Sequence, residues 1–315
     1  MTKSNKAWLE QFTSDEVREL RGIREHRAWL TMFVNYGLIA AAMALVAYVP
    51  NALTVVLALF VIGARQLGFA VVMHESAHRT LFKSRKLNDF VGNWLSGYPV
   101  YLSADMYRAH HLEHHAKTWT DADPDLPLAT VFPVSKASMA RKVMRDLSGI
   151  TGLKRLVGTT YLVVKAIRGE QVDAGTLPMR LERKPSIRMV IGTLLTNSIL
   201  FAVLWALGHP MLYLLWFGAW MTTNSLVARV RSIAEHAVVP DPSDPIGQTR
   251  TVLAGWLERL FIAPNWVQYH LEHHLLMTVP HYNLPKLHQM MRERGLLEGA
   301  CIADNYAQVL RVAVV

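Results

Sequence analysis

The pentapeptide His-Leu-Glu-His-His occurs twice in this chain, at residues 111–115 and again at residues 270–274. On an α-helix, positions i, i+3 and i+4 lie on one face within an arc of roughly 100°. Each copy therefore places three imidazoles on one side of a helix, and Glu113 and Glu272 point to the other side. About 0.03 matches to His-x-x-His-His are expected by chance in a chain with this histidine content. The repeat predicts a metal site built from two distant segments, in preference to two polar helices with surface histidines.

A third cluster, at residues 74–78, closes an apolar stretch and adds His74 and His78 on one helix face. Its sequence fits H-E-x-x-H, in which two histidines hold zinc and Glu75 would be the general base of a protease. A catalytic zinc ion needs only one further protein ligand. Seven or more candidate imidazoles suit two metal ions better than one, so a mononuclear zinc protease is kept as the alternative.

The composition is that of a membrane protein, with 51% hydrophobic and 18% charged residues and a mean hydropathy of +0.17. About 20 residues are needed to cross a hydrocarbon core. We predict an all-α integral membrane protein with four transmembrane helices in two hairpins. The predicted spans are residues 31–49, 52–73, 189–207 and 211–229.

The basic residues predict the orientation of these spans. The turns at 49–51 and 208–210 contain no lysine or arginine, so the N-terminal arm, the middle segment and the C-terminal third are expected on the cytoplasmic side. The chain is interpreted as a single domain, residues 1–315, with a cytoplasmic helical cap from residues 74–188 and 230–315 that holds the histidine clusters. The first 27 residues lack the apolar core of a signal peptide.

The net charge of +9 is explained by lipid rather than by nucleic acid, for which the sequence has no motif. Residues 136–188 combine basic and apolar side chains and predict amphipathic helix on the membrane surface. Docking of an acidic electron donor or of a phosphate-bearing substrate is the alternative for this segment. The single Cys301 excludes an intramolecular disulfide and a cysteine-bound iron–sulfur cluster.

Carboxylates follow the first pentapeptide at Asp121, Asp123 and Asp125. A calcium loop would need glycine where Leu126 stands. We expect these carboxylates to accept hydrogen bonds from ligand imidazoles instead. Arg65 lies within the second predicted span, where an unpaired charge costs at least about 2.5 kcal/mol, so it requires a partner inside the bundle.

Two further regions complete the predicted site. Residues 88–103 are aromatic and too short for a span, so Trp94, Tyr98 and Tyr101 are candidates for an acyl-chain path near the metal; packing in the core is the alternative role. His236 follows the fourth predicted span, level with the first cluster, and is a predicted ligand. The remaining histidines of this region are weaker candidates: His110, His281 and His288.

The order of the three histidine clusters on a four-span chain resembles the membrane fatty acid desaturase and hydroxylase superfamily. The resemblance covers residues 63–288 and includes the Asp-Pro-Asp run at 123–125 and the Pro-His-Tyr-Asn-Leu-Pro run at 280–285. It implies a di-iron centre, with His236 similar to the extra ligand between the second and third clusters. The implied metal ligands are His74, His78, His111, His114, His115, His236, His270, His273 and His274.

One position departs from the acyl-CoA desaturases, in which an asparagine four residues before the extra histidine supports a metal-bound water. Ser232 stands there in this chain. Ser232 and Asn265 are therefore candidates for supporting roles around the metal, without a direct copy of that arrangement.

The resemblance implies an O2-dependent desaturase that introduces a double bond into a fatty acyl chain. The electrons would come from a separate ferredoxin- or cytochrome-type donor, because the chain has no haem module and no iron–sulfur cysteines. The same centre could instead hydroxylate, oxidise carotenoids or decarboxylate fatty acids, and recombinant protein can carry zinc in place of iron. A metal-transport or storage protein is disfavoured because the spans carry almost no charge.

Overall fold

The computed structural model of the chain describes residues 10–170 and 182–315, so part of the predicted basic segment, residues 171–181, lies outside the described residues. The described residues are mostly helical, and one short parallel pair joins β1 (Thr251–Val252) to β2 (Ile302–Ala303). In chain order, the α-helices are α1 (Ser14–Leu20), α2 (Glu25–Tyr48), α3 (Ala52–His78), α4 (Arg85–Gly92), α5 (Ala104–Lys117), α6 (Leu126–Thr130), α7 (Lys136–Leu147), α8 (Ile150–Arg168), α9 (Arg183–Ala206), α10 (Tyr213–Met221), α11 (Thr223–His236), α12 (Trp256–Phe261), α13 (His270–Leu275), α14 (Leu284–Glu293) and α15 (Tyr306–Val312).

Three helical segments among the described residues are long and apolar enough to cross a membrane. They are Ser14–Tyr48, which contains α1 and α2, Ala52–His78 and Arg183–Ala206. Three of the four predicted spans, 31–49, 52–73 and 189–207, therefore fall on such helices. The helices are longer than those spans, and α3 continues past residue 73 to include the first histidine cluster.

The fourth predicted span, residues 211–229, is not one continuous helix. A short 3-10 turn precedes α10, and α10 ends at a break at Thr222, whose φ and ψ are −114° and −88°. The Thr222 hydroxyl donates to the Gly218 carbonyl at 2.6 Å, and the Thr223 hydroxyl donates to Leu59 of α3 at 2.5 Å. These side chains compete with the helical hydrogen bonds.

Helix α3 is the central element of the fold because α2, α10, α11 and α5 all pack against it. Most of its second half is buried, including the polar Gln66 and Glu75. Its N-terminus is capped by Asn51, which accepts a hydrogen bond from the Thr54 backbone at 3.1 Å. Its C-terminus ends in left-handed backbone at Arg79. The first histidine cluster thus occupies the last turns of this central helix.

Polar contacts join the spans to the segment that precedes the second pentapeptide. Arg65 donates to the carbonyls of Arg259 and Leu260 at 2.9 and 2.7 Å, so its partner is the C-terminal end of α12 rather than a carboxylate. Asn265 accepts a hydrogen bond from Asn35 of α2 and donates to the Gly68 carbonyl of α3. These bonds fix the loop that precedes α13 and so position α13 beside the end of α3.

The contact between α3 and α11 depends on Gly63. A Cβ there would lie 2.8 Å from the Asn224 backbone nitrogen and would collide with the Thr223 hydroxyl. We expect Gly63→Ala to destabilise the protein by about 1–3 kcal/mol through overpacking. The measurement is thermal unfolding of the purified protein in detergent.

Gly37→Ala is the matched control, since a Cβ at that exposed position of α2 meets nothing within 4 Å. Its melting temperature should equal that of the wild-type protein or exceed it slightly. Equal melting temperatures for Gly63→Ala and Gly37→Ala would contradict this account of the helix contact.

Candidate metal centre

Nine histidines from four helices converge at the end of α3. The structure arranges their ring nitrogens in two adjacent groups, built from three clusters within each of which the potential ligand atoms lie within 4.8 Å of one another. The five-histidine group consists of His74, His78, His111, His115 and His273. The four-histidine group consists of His114, His236, His274 and His270, the last joined through His236 in an overlapping cluster that includes Glu235.

The spacing of the nitrogens fits shared metal ligands. Within the five-histidine group, the Nε2 atom of His111 lies 2.9 Å from that of His78 and 3.0 Å from that of His115. Within the other group, the Nε2 atoms of His236 and His270 are 2.9 Å apart. Two nitrogens that each lie about 2.1 Å from one ion, with bonds at right angles, are about 3.0 Å apart.

The burial and the protonation state of these histidines also favour metal binding. The Nε2 atoms of His74 and His274 are buried and have no hydrogen-bond partner among the described residues. An unpaired buried polar atom is costly, and a metal ion would satisfy it. Burial holds the pKa of His111, His115 and His274 well below the usual value. These imidazoles are therefore neutral at pH 7, as metal ligation requires.

Neighbouring side chains orient the imidazoles through their second nitrogen. Asp123 lies 2.8 Å from Nδ1 of His114, and the Tyr107 hydroxyl lies 3.0 Å from Nδ1 of His111. With Nε2 turned to a metal, each Nδ1–H donates to these oxygens. Asp123 is itself held by the Trp119 and Asp125 backbone amides, both at 2.9 Å.

Two glutamates, on α3 and α11, also contact the Nδ1 atoms of histidines in the two groups. Glu75 faces Nδ1 of His74 at 3.4 Å, and its other oxygen accepts hydrogen bonds from the Thr80 hydroxyl and the His281 backbone, both at 2.9 Å. Glu235 forms an ion pair with Arg231 and lies 3.4 Å from Nδ1 of His270. Both carboxylates are buried, so each is committed to these contacts.

The second pentapeptide is held in place through Glu272, on the helix face opposite its histidines. Glu272 is fully buried, accepts a hydrogen bond from the Thr251 hydroxyl at 2.5 Å and lies 2.6 Å from Nδ1 of His288. Its side chain thus points away from the two histidine groups, as helical periodicity predicts. The same contacts tie α13 to β1 and α14.

The weaker histidine candidates lie outside both groups. His110 contacts Asp125 at 2.9 Å, and His281 contacts Thr31 and Glu75. His288 contacts Glu272.

The predicted supporting residues have different surroundings. Asp123 contacts His114, Asp125 contacts His110, and Asp121 is exposed. Ser232 lines the cavities beside the metal groups, and Asn265 fixes the loop before α13.

A mostly apolar cavity of about 270 Å³ adjoins the histidines. Among the predicted channel aromatics, Tyr101 lines this cavity. Trp94 and Tyr98 instead pack edge to face with ring centroids 5.1 Å apart, and Tyr98 is buried against Gly192 of α9. The ring of Tyr98 thus belongs to the core, which is the alternative role given above.

Sequence comparisons agree with this geometry. Residues 50–302 match the fatty acid desaturase family. The chain is 26% identical over 246 residues to dihydrorhizobitoxine desaturase of Bradyrhizobium elkanii, covering 76% of this chain and 68% of that protein. It is 24% identical to the sn-1 oleoyl-lipid 12-desaturase of Picosynechococcus sp. (88% and 80% covered) and 23% identical to the chloroplastic omega-6 fatty acid desaturase of Brassica napus (88% and 62% covered).

The family match covers most of the chain, and the histidine groups lie within it. The chain therefore belongs to the fatty acid desaturase family. Three helical segments among the described residues can span a bilayer, so it is a membrane protein of that family.

Sequence analysis missed three residues around the metal groups. Tyr107 stands four residues before His111, on the same helix face, so its spacing was a usable signal. Glu235 precedes His236 directly, but its contact with His270 depends on the tertiary fold. Glu75 was assigned only to the protease alternative, whereas it contacts His74 and His281.

The carboxylate of Asp123 provides a test of the orienting contacts. Asp123→Asn should weaken metal binding by about tenfold to a hundredfold, because a neutral amide holds the Nδ1–H of His114 less strongly. The measurement is metal retained against a graded series of chelator concentrations. Asp121→Asn is the matched control, two residues away and exposed, and should retain metal like the wild-type protein. Identical chelator sensitivity of the two variants would disprove this role for Asp123.

Proposed function

We propose that this protein is a di-iron, O2-dependent membrane desaturase that introduces a double bond into a fatty acyl chain. The convergence of nine imidazoles in two groups carries the proposal, because it provides nitrogen ligands for two metal ions side by side. The relatives named above are all desaturases, which favours double-bond formation over other outcomes at the same centre.

Some residues of this site would bind the metal ions, and others orient the ligand rings. The five-histidine group would hold one iron ion and the four-histidine group the other. Iron bound to neutral imidazoles would supply, with O2, the oxidising power to remove hydrogen from an unactivated methylene. Asp123, Tyr107 and Glu235 hold the ligand rings in place. Only positions left open by the histidines would be available to O2.

The cavity beside the histidines supports an acyl substrate. It follows one side of α3 from Gln66 to His74 and Glu75, and apolar side chains form most of its wall. Such a wall excludes water and accommodates an alkyl chain. His270 and His273 also line it, so a bound chain would lie next to both metal groups.

We also propose the membrane topology, the electron donor and the domain organisation of the protein. We expect four membrane crossings, with the fourth made by α10 and α11 despite their break, and the histidines on the cytoplasmic side. Electrons would come from a separate ferredoxin- or cytochrome-type protein. The whole chain would act as one domain with its cap formed by residues 74–188 and 230–315.

The zinc protease alternative is disfavoured by the surroundings of Glu75. Both of its oxygens contact neighbouring groups, so it is not poised as a general base for a metal-bound water. His74 and His78 also share their group with three further imidazoles, more than a catalytic zinc site uses.

The reaction is tested by feeding perdeuterated palmitate to cells that express the protein and analysing lipids by mass spectrometry. Desaturation predicts a product that has lost two deuterium atoms at adjacent carbons, absent from cells that express His115→Ala. Gain of oxygen would instead identify a hydroxylase, and loss of the carboxyl carbon a decarboxylase. No difference from the His115→Ala cells would overturn the proposal.

The metal count is a separate prediction. Purified wild-type protein should hold about two transition-metal ions per chain, mainly iron when produced with iron supplementation. His115→Ala and His274→Ala each remove a ligand from one group and should lower the count towards one. Elemental analysis gives the count, and His26→Ala, at an exposed position, should leave it unchanged. A count of one in the wild-type protein would argue against the di-iron assignment.

A further inference from the structure

The cavity beside the histidine groups is lined by an arginine that forms no ion pair within the part of the chain that the structure describes. Arg155 of α8 lines the cavity and stacks on Trp220, with its guanidinium carbon 4.1 Å from the ring centroid. Its Nη2 donates to the Trp220 carbonyl at 2.8 Å and to the Asn224 side chain at 3.1 Å. Its Nε is buried and has no hydrogen-bond partner in the described part of the chain.

Two arginines of the neighbouring helix α11 are paired with carboxylates. Arg231, which also lines the cavity, is paired with Glu235. Arg229 is paired with the buried Asp146 through two hydrogen bonds, so that carboxylate is already occupied. Arg155 forms no ion pair with a carboxylate of residues 10–170 or 182–315. A cation beside an apolar cavity without a counter-ion is costly, so an anion is expected to bind there.

The position of Arg155 places that anion far from the histidines. Its partner Asn224 donates to the Gly63 carbonyl of α3, and Gln66 donates to Trp216, one turn before Trp220. The cavity follows α3 from Gln66 to Glu75. Nine residues of α-helix span about 14 Å. The cavity therefore has a cationic end and a histidine end separated by roughly that length.

We propose that Arg155 binds the carboxylate of a free fatty acid, so that the acyl chain extends along α3 and presents a methylene well removed from the carboxylate to the histidines. The proposal rests on the function proposed above and specifies its substrate. A guanidinium matches a carboxylate through paired N–H donors. One uncompensated cation and a cavity of about 270 Å³ suit a single acyl chain with a single charge.

A phosphate group would offer the same anionic oxygens, so the experiment compares the two sources. Purified, iron-loaded protein is incubated with radiolabelled palmitate, and unlabelled palmitate, methyl palmitate or dipalmitoyl phosphatidate competes for binding. We expect palmitate to compete at least tenfold better than methyl palmitate or phosphatidate. Equal competition by methyl palmitate, or stronger competition by phosphatidate, would overturn the assignment without any variant.

Variants then locate the binding charge. Arg155→Gln keeps an N–H donor for the Trp220 carbonyl but removes the charge, and it should weaken palmitate binding by about tenfold to a hundredfold. Binding of radiolabelled methyl palmitate should not change, which separates anion binding from a purely structural role. Lys154→Gln, the exposed neighbour on α8, should bind palmitate like the wild-type protein.

Arg155→Lys keeps the charge and should retain more palmitate affinity than Arg155→Gln. Iron content equal to that of the wild-type protein verifies that each variant is folded. Unchanged palmitate affinity in Arg155→Gln would refute the proposal.

The binding assay and the product assay fail independently. If the cells make a desaturated product but Arg155→Gln binds palmitate normally, the desaturase function stands and the role of Arg155 is wrong. If palmitate binding depends on Arg155 but no oxidised product forms, the anion site stands and the desaturase function is wrong.

Discussion

The fold depends on holding many imidazoles close together in a dry interior. Nitrogens that approach within about 3 Å of one another repel if they carry charge and lose their hydrogen bonds with water when buried. Metal ions shared between them would relieve both costs. The two histidine groups therefore explain why the ends of α3, α5, α11 and α13 meet at one point.

The spans and the cap are connected through that point. The first histidine cluster forms the last turns of α3, whereas the second pentapeptide sits on the short, fully buried α13. Asn35 and Gly68 contact Asn265 in the loop before α13, and Arg65 contacts the end of α12. Movement of α3 would separate His74 and His78 from His111, His115 and His273, so packing around α3 and the geometry of the five-histidine group are coupled.

Sequence analysis identified the histidines because their spacing is a property of a single helix, and it identified Asp123 because a short turn keeps it near His114. Features that depend on contacts between distant helices could not be predicted from the sequence in this way. The break at Thr222 is flanked by hydrogen bonds from Thr223 to Leu59 and from Arg155 to Trp220, and neither Leu59 nor Arg155 is near it in sequence. In the sequence, Arg155 is indistinguishable from Lys154, and only the fold places one against Trp220 and leaves the other exposed. For the same reason, aromatic composition alone did not separate Tyr101, which lines the cavity, from Tyr98, which packs in the core.

The most direct test of the central claim is to locate the metal ions themselves. Iron-specific anomalous scattering from crystals of the iron-loaded protein would give their positions relative to each side chain. The account predicts two neighbouring peaks, one surrounded by His74, His78, His111, His115 and His273 and the other by His114, His236, His270 and His274. A single peak, or a peak bound by Glu75 with only His74 and His78, would contradict it.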